Sequence, residues 1–151
     1  MKREPVKTNR TSCLILLLVP MLLMPALCWG RRGKIVHLDD GDLGIALYQG
    51  KEVKFRLYGV DAPEWKQDFG SKAKSFPSIL MLREAVEMEI LDRDRYDREV
   101  ALVFVEGKCV NEEPVRIGLA WVYIQHCRND RCDGGLRLQQ LAKENRLGIW
   151  A

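Results

Sequence analysis

Apolar and polar residues alternate along the middle of the chain. In Leu43–Tyr48 and again in Val53–Tyr58, every second residue is apolar, and Gln49-Gly50-Lys51 between them is a turn sequence. When apolar residues alternate with a period of two, one face of each segment points toward a core. The pattern therefore predicts a β-hairpin. Alternation over Val86–Ile90 predicts a further strand, and the continuous apolar run Val100–Val105 predicts a buried one.

Later segments have helical spacing. Helices are predicted over Ser71–Arg83, where Pro77 is expected to break or kink the helix, over Asn111–Gly118, and over Gly135–Arg146. The last of these places Leu138, Leu141 and Ala142 on one face. Short strands followed by interspersed helices indicate an α+β architecture, and a five-stranded, partly open barrel with peripheral helices fits this order.

The N-terminal region is typical of a targeting segment. Residues 1–12 are polar and basic, and no charged residue occurs from Thr11 to Gly30. This predicts either a signal peptide, with an imperfect cleavage site at Ala26-Leu27-Cys28, or an uncleaved membrane anchor. Residues 31–151 would then form the exported domain, periplasmic or secreted, or attached to the membrane through residues 11–30. Arg31–Lys34 is predicted to be a short basic link.

Composition and charge exclude several classes of protein. The chain has 151 residues, of which 47% are hydrophobic and 30% charged, which is typical of one globular domain. Four basic residues and one acidic residue precede Cys13. Removing them from the totals of 24 and 21 leaves 20 of each. The domain is therefore not a nucleic-acid binder that acts through bulk charge, and it needs a local site to handle a polyanion.

The cysteines of the domain are odd in number. Cys127 and Cys132 flank a polar loop and are candidates for a short disulfide in an exported protein, with two free thiols as the alternative. Cys109 then remains. The domain has only His37 and His126, which do not form a zinc-binding pair.

Three charged segments are not needed by the strand pattern. They are Asp39–Asp42, Arg56 together with Asp61–Glu64, and Asp94–Arg98. A phosphodiester hydrolase needs hard oxygen ligands for Ca²⁺ or Mg²⁺, arginines for the phosphate, and a carboxylate to accept a proton. Taken singly, the segments also fit turn chemistry, a helix-capping aspartate and a solvated turn.

The order of these segments identifies a resemblance. The motifs are DGD at Asp40–Asp42, FRLYGVDAPE at Phe55–Glu64 and DRYDR at Asp94–Arg98, with VNEEPVRIGLAWVY and LGIW further on. Together they resemble the staphylococcal nuclease (thermonuclease-like) family from about Lys34 to Trp150. The resemblance implies an OB-fold, a five-stranded β-barrel with about three helices. It also implies a Ca²⁺-dependent endonuclease that cuts DNA and RNA and leaves a 3′-phosphate.

The same resemblance assigns roles to individual residues. It implies that Ca²⁺ is bound by Asp42, Asp61 and the backbone carbonyl of Ala62. Glu64 would act as general base or orient the attacking water, and Arg56 and Arg98 would contact the scissile phosphate. Tyr96 would lie near the phosphate or sugar of the nucleotide.

The chain departs from the family pattern in places. Leu43 and Ala62 stand where the best-known member has threonine, and the segment after Glu64 is short, which alters the substrate groove. DNA and RNA are the expected substrates, with single strands preferred and the protein monomeric. Two alternatives remain open: a non-catalytic OB-fold module that binds nucleic acid, and a membrane-tethered domain that docks a partner.

Overall fold

The computed structural model describes residues 30–127 and 130–151. The predicted leader therefore lies outside the described residues, apart from Gly30. Within these ranges, no helix has the length and apolar character needed to cross a membrane.

The described chain contains eight short strands, and three α-helices lie between or after groups of these strands. The strands are β1 (Arg31–Leu38), β2 (Leu43–Tyr48), β3 (Lys51–Leu57), β4 (Val60–Asp61), β5 (Ala85–Arg93), β6 (Glu99–Val105), β7 (Lys108–Cys109) and β8 (Trp121–Val122). The α-helices are α1 (Gly70–Met81), α2 (Glu113–Arg116) and α3 (Asp130–Glu144). Short 3-10 turns occupy Ile124–His126 and Gly148–Trp150.

Five strands form a closed barrel. β1 pairs antiparallel with β2 and β5, β2 with β3, and β5 with β6. A parallel pairing of β3 with β6, in which Arg56 lies opposite Val100, joins the two ends of the sheet. The α+β OB-fold expectation is confirmed, with the barrel closed rather than partly open.

In β3 and β5, the apolar residues that the period-two pattern points inward fill the barrel interior. In β2 the predicted face was wrong, because Gly44 and Ala46 are buried and Leu47 is 38% exposed. A Cβ at Gly44 would lie 3.0 Å from the Phe55 ring, so only small residues of β2 fit on the inner face. The largest fully buried side chains include Ile35, Phe55, Leu57, Val86 and Val103. Burying such a side chain is worth about 1.5–3 kcal/mol. This apolar interior makes the barrel the rigid support of everything on its outer surface.

Strand β1 was not predicted. Arg31–Lys34, expected to be a link, pairs with Ala85–Met88 of β5. The prediction was wrong because these residues lie on the barrel surface, where none of them is buried and no alternation of apolar residues marks the strand. An irregularity in the register between Ile35 and His37 also interrupts the alternation further along the strand.

Two helix predictions also need correction. Helix α1 continues through Pro77, which is buried on its inner face. Pro77 has no N–H for the Ala73 carbonyl, and the backbone of Gly41 approaches that carbonyl closely. Helix α3 begins at Asp130, earlier than predicted. Leu141 is exposed because the inner face of α3 is formed by Cys132, Gly135 and Ala142.

A buried asparagine ties the barrel to the C-terminal half. Asn111 is 2% exposed, and its Nδ2 donates to the carbonyls of Tyr58 (3.1 Å) and Ala101 (3.0 Å). Its Oδ1 accepts from the Val103 N–H at 2.9 Å. The amide side chain thereby satisfies three backbone groups where β3 and β6 meet.

A disulfide joins Cys127 to Cys132, with the Cα atoms 5.7 Å apart. It packs against Gly59, where a Cβ would lie 3.0 Å from the Cys127 sulfur. Gly59 also has a φ of +72°, a conformation that favours glycine. Since Gly59 lies between Arg56 and Asp61, the disulfide supports the chain that connects these two residues.

Candidate active site

The register of the β2–β3 hairpin places Asp42 beside Arg56. Leu43 pairs with Arg56, and the Leu57 N–H donates to the Asp42 carbonyl at 2.8 Å. The guanidinium Nε of Arg56 lies 3.1 Å from Asp42 Oδ2. This contact is an ion pair without hydrogen-bond geometry, since Nε has no hydrogen-bond partner among the described residues.

A close backbone contact brings the second aspartate to the same place. A Cβ at Gly41 would lie 2.6 Å from the Ala62 Cβ and 2.9 Å from the Ala73 carbonyl oxygen. Only glycine therefore lets the turn before Asp42 pack against the segment that holds Asp61. The Arg56 Nη2 donates to Asp61 Oδ1 at 2.6 Å. Arg56 thus bridges the two carboxylates that the resemblance implies as metal ligands.

A third carboxylate, which the sequence reasoning gave no role, stands behind them. Asp40 is 6% exposed, and its Oδ1 accepts from the Leu43 N–H at 3.1 Å, which fixes the turn. Burial raises the pKa of Asp42 to about 8, and the charges of Asp40 and Asp61 add to this effect while Arg56 opposes it. The site thus holds three carboxylates against one guanidinium.

Arg98 is held by the turn between β5 and β6. Its Nε donates to Asp94 Oδ2 at 2.6 Å, and its backbone N–H donates to Asp94 Oδ1 at 3.0 Å. Tyr96, on the same turn, is 60% exposed, and the Arg98 guanidinium carbon lies 5.0 Å from its ring centre. The turn thereby holds a largely buried arginine beside an exposed tyrosine in a fixed arrangement.

Arg56 and Arg98 line one groove of about 440 Å³, which we call the site groove. They come together because the parallel β3–β6 pairing sets Arg56 opposite Val100, two residues after Arg98. Tyr96, Tyr123 and His126 also line the groove. The structure therefore brings together the two predicted phosphate-binding arginines.

Tyr123 was also missed by the sequence reasoning. The Arg56 guanidinium carbon lies 4.9 Å from the Tyr123 ring centre, and the Tyr123 N–H donates to the Gly59 carbonyl at 2.9 Å. A cation above an aromatic face is stabilised by the ring quadrupole. The sequence around Tyr123 contains no local signal for this contact, because Arg56 lies far away in the chain and meets Tyr123 only in the folded protein.

Glu64 lies apart from these contacts. It is on an exposed loop, where its backbone N–H donates to Gln67 Oε1 at 2.9 Å and its carbonyl accepts from the Gln67 N–H at 2.8 Å. Across the described ranges, no hydrogen bond or ion pair joins its carboxylate to Arg56 or Arg98. The carboxylate is accessible to water, as a general base requires.

The donor set suits a hard cation with few protein ligands. Within residues 30–127 and 130–151, no group of three or more His, Cys, Asp or Glu side chains is arranged to hold a metal ion. Asp42 and Asp61 nevertheless supply carboxylate oxygens, and Ala62 follows with a backbone carbonyl. Ca²⁺ and Mg²⁺ accept such oxygens and complete their coordination with water. Burial raises the pKa of Asp42, so a cation bound beside it would favour the charged form that serves as a ligand.

Comparison with known proteins places the chain among nucleases. A family model described as "Staphylococcal nuclease homologue" matches residues 54–151. An "Uncharacterized endonuclease" of Escherichia coli O157:H7 is 34% identical over 139 residues, 88% of each chain. One of Haemophilus influenzae is 35% identical over 119 residues, which are 78% of this chain and 65% of the relative. "Protein ParB" of Escherichia coli is 33% identical over 161 residues, 100% of this chain and 88% of the relative.

Proposed function

Because the chain belongs to the staphylococcal nuclease family, we propose that it is a calcium-dependent endonuclease that hydrolyses phosphodiester bonds in DNA and RNA. The family and the names of the endonuclease relatives support a nuclease. The observation that carries the proposal is one groove that Arg56 and Arg98 both line, with Asp42 and Asp61 against Arg56.

The arginines bind and orient the scissile phosphate. A guanidinium presents parallel N–H donors that match two phosphate oxygens, and it remains charged at every working pH. In the free protein, Arg56 contacts two carboxylates and Arg98 contacts Asp94, so ion pairs hold both guanidinium groups in place where they line the site groove. Arg56 donates to Asp61 through Nη2 and Arg98 donates to Asp94 through Nε, so the remaining N–H donors of each guanidinium can bind phosphate oxygens.

Calcium would be held by Asp42, Asp61 and the carbonyl of Ala62. When bound, the ion supplies positive charge to one phosphate oxygen and so stabilises the transition state. The carboxylates of this chain contribute the negative charge that selects a divalent cation. The burial of Asp42 beside Asp40 makes its charge costly in the ion's absence.

Glu64 is proposed to accept a proton from the attacking water. The water oxygen then bonds to phosphorus, the bond from phosphorus to the 5′ oxygen breaks, and that oxygen leaves with a proton from solvent. The products are a 3′-phosphate and a 5′-hydroxyl. Exposure of Glu64 on the loop before α1 supports this role because water reaches it freely.

The proposed setting is outside the cytoplasm, as a monomer, with single strands as preferred substrate. The Cys127–Cys132 disulfide supports an oxidising compartment, because such bonds are rare in the cytoplasm. The uncharged segment from Thr11 to Gly30 supports export by a signal peptide or an anchor.

The test is cleavage of denatured DNA by the purified protein, first with Ca²⁺ and then with EGTA. We expect cleavage with Ca²⁺, no cleavage in EGTA, and 3′-phosphate ends on the products. Glu64→Gln should lower the rate by on the order of 10²–10⁴-fold. The matched control is Glu106→Gln, on the turn between β6 and β7 away from the groove. A folded protein that cleaves nothing with any divalent cation would refute the proposal and favour a nucleic-acid-binding module.

A further inference from the structure

A second groove adjoins the site groove. It has a volume of about 600 Å³ and is lined chiefly by Arg31, Tyr48, Lys51 and Lys54, and we call it the distal groove. Arg93 and Tyr96 line both grooves. A polymer bound in the site groove can therefore continue into the distal groove without leaving the protein surface.

A buried carboxylate organises the arginines of the distal groove. The Glu99 side chain is 4% exposed and forms ion pairs with Arg31 and, at 3.1 Å, with Arg93. The two arginine side chains are 45% and 54% exposed. A guanidinium has five N–H donors, so each retains donors for a ligand in the groove. Glu99 thus fixes the position of two partly exposed cations.

The alternation of β3 connects the two grooves. Lys54 and Arg56 lie on the same outward face because successive side chains of a strand point to opposite faces. Phe55 and Leu57 point into the barrel. Lys54 forms no ion pair among the described residues, so its charge is available to a ligand. The outer face of β3 therefore carries cations along the path from one groove to the other.

The charges of the distal groove favour an anion that can displace a weak partner. Its four cations face three carboxylates, on Glu52, Asp97 and Glu99. Asp97 pairs with Arg93 at 2.6 Å but is 82% exposed. An exposed ion pair of this kind is worth little, so a phosphate can replace Asp97 at Arg93.

Aromatic faces accompany the cations. The Arg31 guanidinium carbon lies 5.5 Å from the ring centre of Tyr48, and Arg95 and Arg98 lie 4.8 and 5.0 Å from that of Tyr96. Proteins that bind single-stranded nucleic acid combine a positively charged groove with aromatic rings on which bases stack. The distal groove has both features.

We propose that the distal groove binds the part of a single-stranded polynucleotide that adjoins the scissile phosphate. Arg31 and Arg93 contact a further phosphate, Lys54 contributes charge along the path, and Tyr48 offers a face for a base. This inference rests on the proposed function, since it extends the substrate site of the same enzyme.

Binding measured without hydrolysis tests the inference. Fluorescence anisotropy in EGTA compares a labelled single-stranded 12-nucleotide DNA with a labelled dinucleotide. The wild-type protein should bind the 12-mer more tightly. Arg31→Gln should weaken 12-mer binding by roughly tenfold, so the affinity for the 12-mer should come closer to the affinity for the dinucleotide. It should also reduce the slope of log K against log salt by about 0.7, the value for one phosphate contact.

The controls separate a groove effect from a folding effect. Arg32→Gln changes the next residue of β1, which is 85% exposed and pairs with Glu87, and it should leave 12-mer binding unchanged. Lys54→Gln leaves the Glu99 ion pairs intact and should reduce the salt slope as Arg31→Gln does. If circular dichroism shows that Arg31→Gln is unfolded, Lys54→Gln decides the question.

The outcomes are distinct from those of the cleavage test. If both groove variants bind the 12-mer as the wild type does, the inference is wrong, even in a protein that cleaves DNA with Ca²⁺. If both weaken 12-mer binding and the wild type cleaves nothing, the distal groove stands and the proposed hydrolysis fails.

Discussion

Replacement of Asp42 by asparagine should stabilise the metal-free protein while abolishing cleavage. The side chain is 4% exposed, and its pKa is raised from 3.8 to about 8, chiefly by burial. A carboxyl whose pKa is raised on folding stabilises the folded state fully below its unfolded pKa. That contribution is lost as the pH rises from about 4 to about 8. Asparagine keeps the shape and carries no charge to bury.

The size of the effect follows from the same pKa. Each tenfold change in proton affinity corresponds to about 1.4 kcal/mol, so the change in pKa from 3.8 to about 8 sets an upper limit of roughly 6 kcal/mol. The free-energy penalty in the protein is smaller than this limit, because side chains relax and water penetrates around a buried charge. We therefore expect Asp42→Asn to be more stable than the wild type by on the order of 2–3 kcal/mol at pH 8.5, with the difference vanishing near pH 4.

Urea unfolding in EGTA at pH 4.5, 6.5 and 8.5 measures this difference. The exposed Asp68→Asn is the control, and its stability relative to wild type should not change with pH in this way. A gap between wild type and Asp42→Asn that stays constant across the three pH values would refute the reasoning. It would mean that the buried carboxylate is compensated in the folded protein without a cation.

Three further substitutions probe the site and its support. Arg98→Lys should lower kcat/KM by on the order of 10²-fold, because an ammonium lacks the paired donors, and a loss under tenfold beside the exposed Arg137→Lys would contradict its role. Gly70→Ala should lower the free energy of unfolding, measured by chemical denaturation, by about 1–3 kcal/mol and should also lower kcat, because the added Cβ would overlap the Glu64 carbonyl oxygen. Wild-type kinetics in this variant would show that the loop does not position Glu64. Asn111→Ala should lower the free energy of unfolding by about 1–3 kcal/mol, because the buried Val103 N–H loses its acceptor, and a loss below 1 kcal/mol in urea would contradict that account.

Much of the fold follows from local patterns in the sequence. The β2–β3 hairpin was predictable because apolar residues alternate on both sides of one turn, although the inward face of β2 was predicted wrongly. Strand β1 was not predictable, because Ile35 and Leu38 are its only buried residues and their spacing of three residues does not fit a period of two. The strand accommodates this spacing through the irregular register between Ile35 and His37. Local patterning therefore identifies a strand only where one face is buried along its whole length.

The candidate site divides in the same way. The proximity of Asp42 to Arg56 follows from the register of the hairpin. The family motifs, and not the strand pattern, indicated that these residues belong to one site. The contact of Tyr123 with Arg56, the burial of Asp40 and the distal groove arise from tertiary packing between distant segments. A single sequence contains no local signal for such contacts.

The parallel pairing of β3 with β6 also determines when during folding the groove comes into existence. Contacts between segments far apart in the chain form late, after the entropy of closing the intervening loop has been spent. Arg56 and Arg98 meet across this pairing, and Tyr123 arrives from still further along the chain. A fragment that ends before Glu99 therefore cannot assemble the groove. During synthesis, the growing chain is surrounded by the RNA of the ribosome. It contains Asp42 and Asp61 long before it has formed a groove that can bind a nucleic-acid strand.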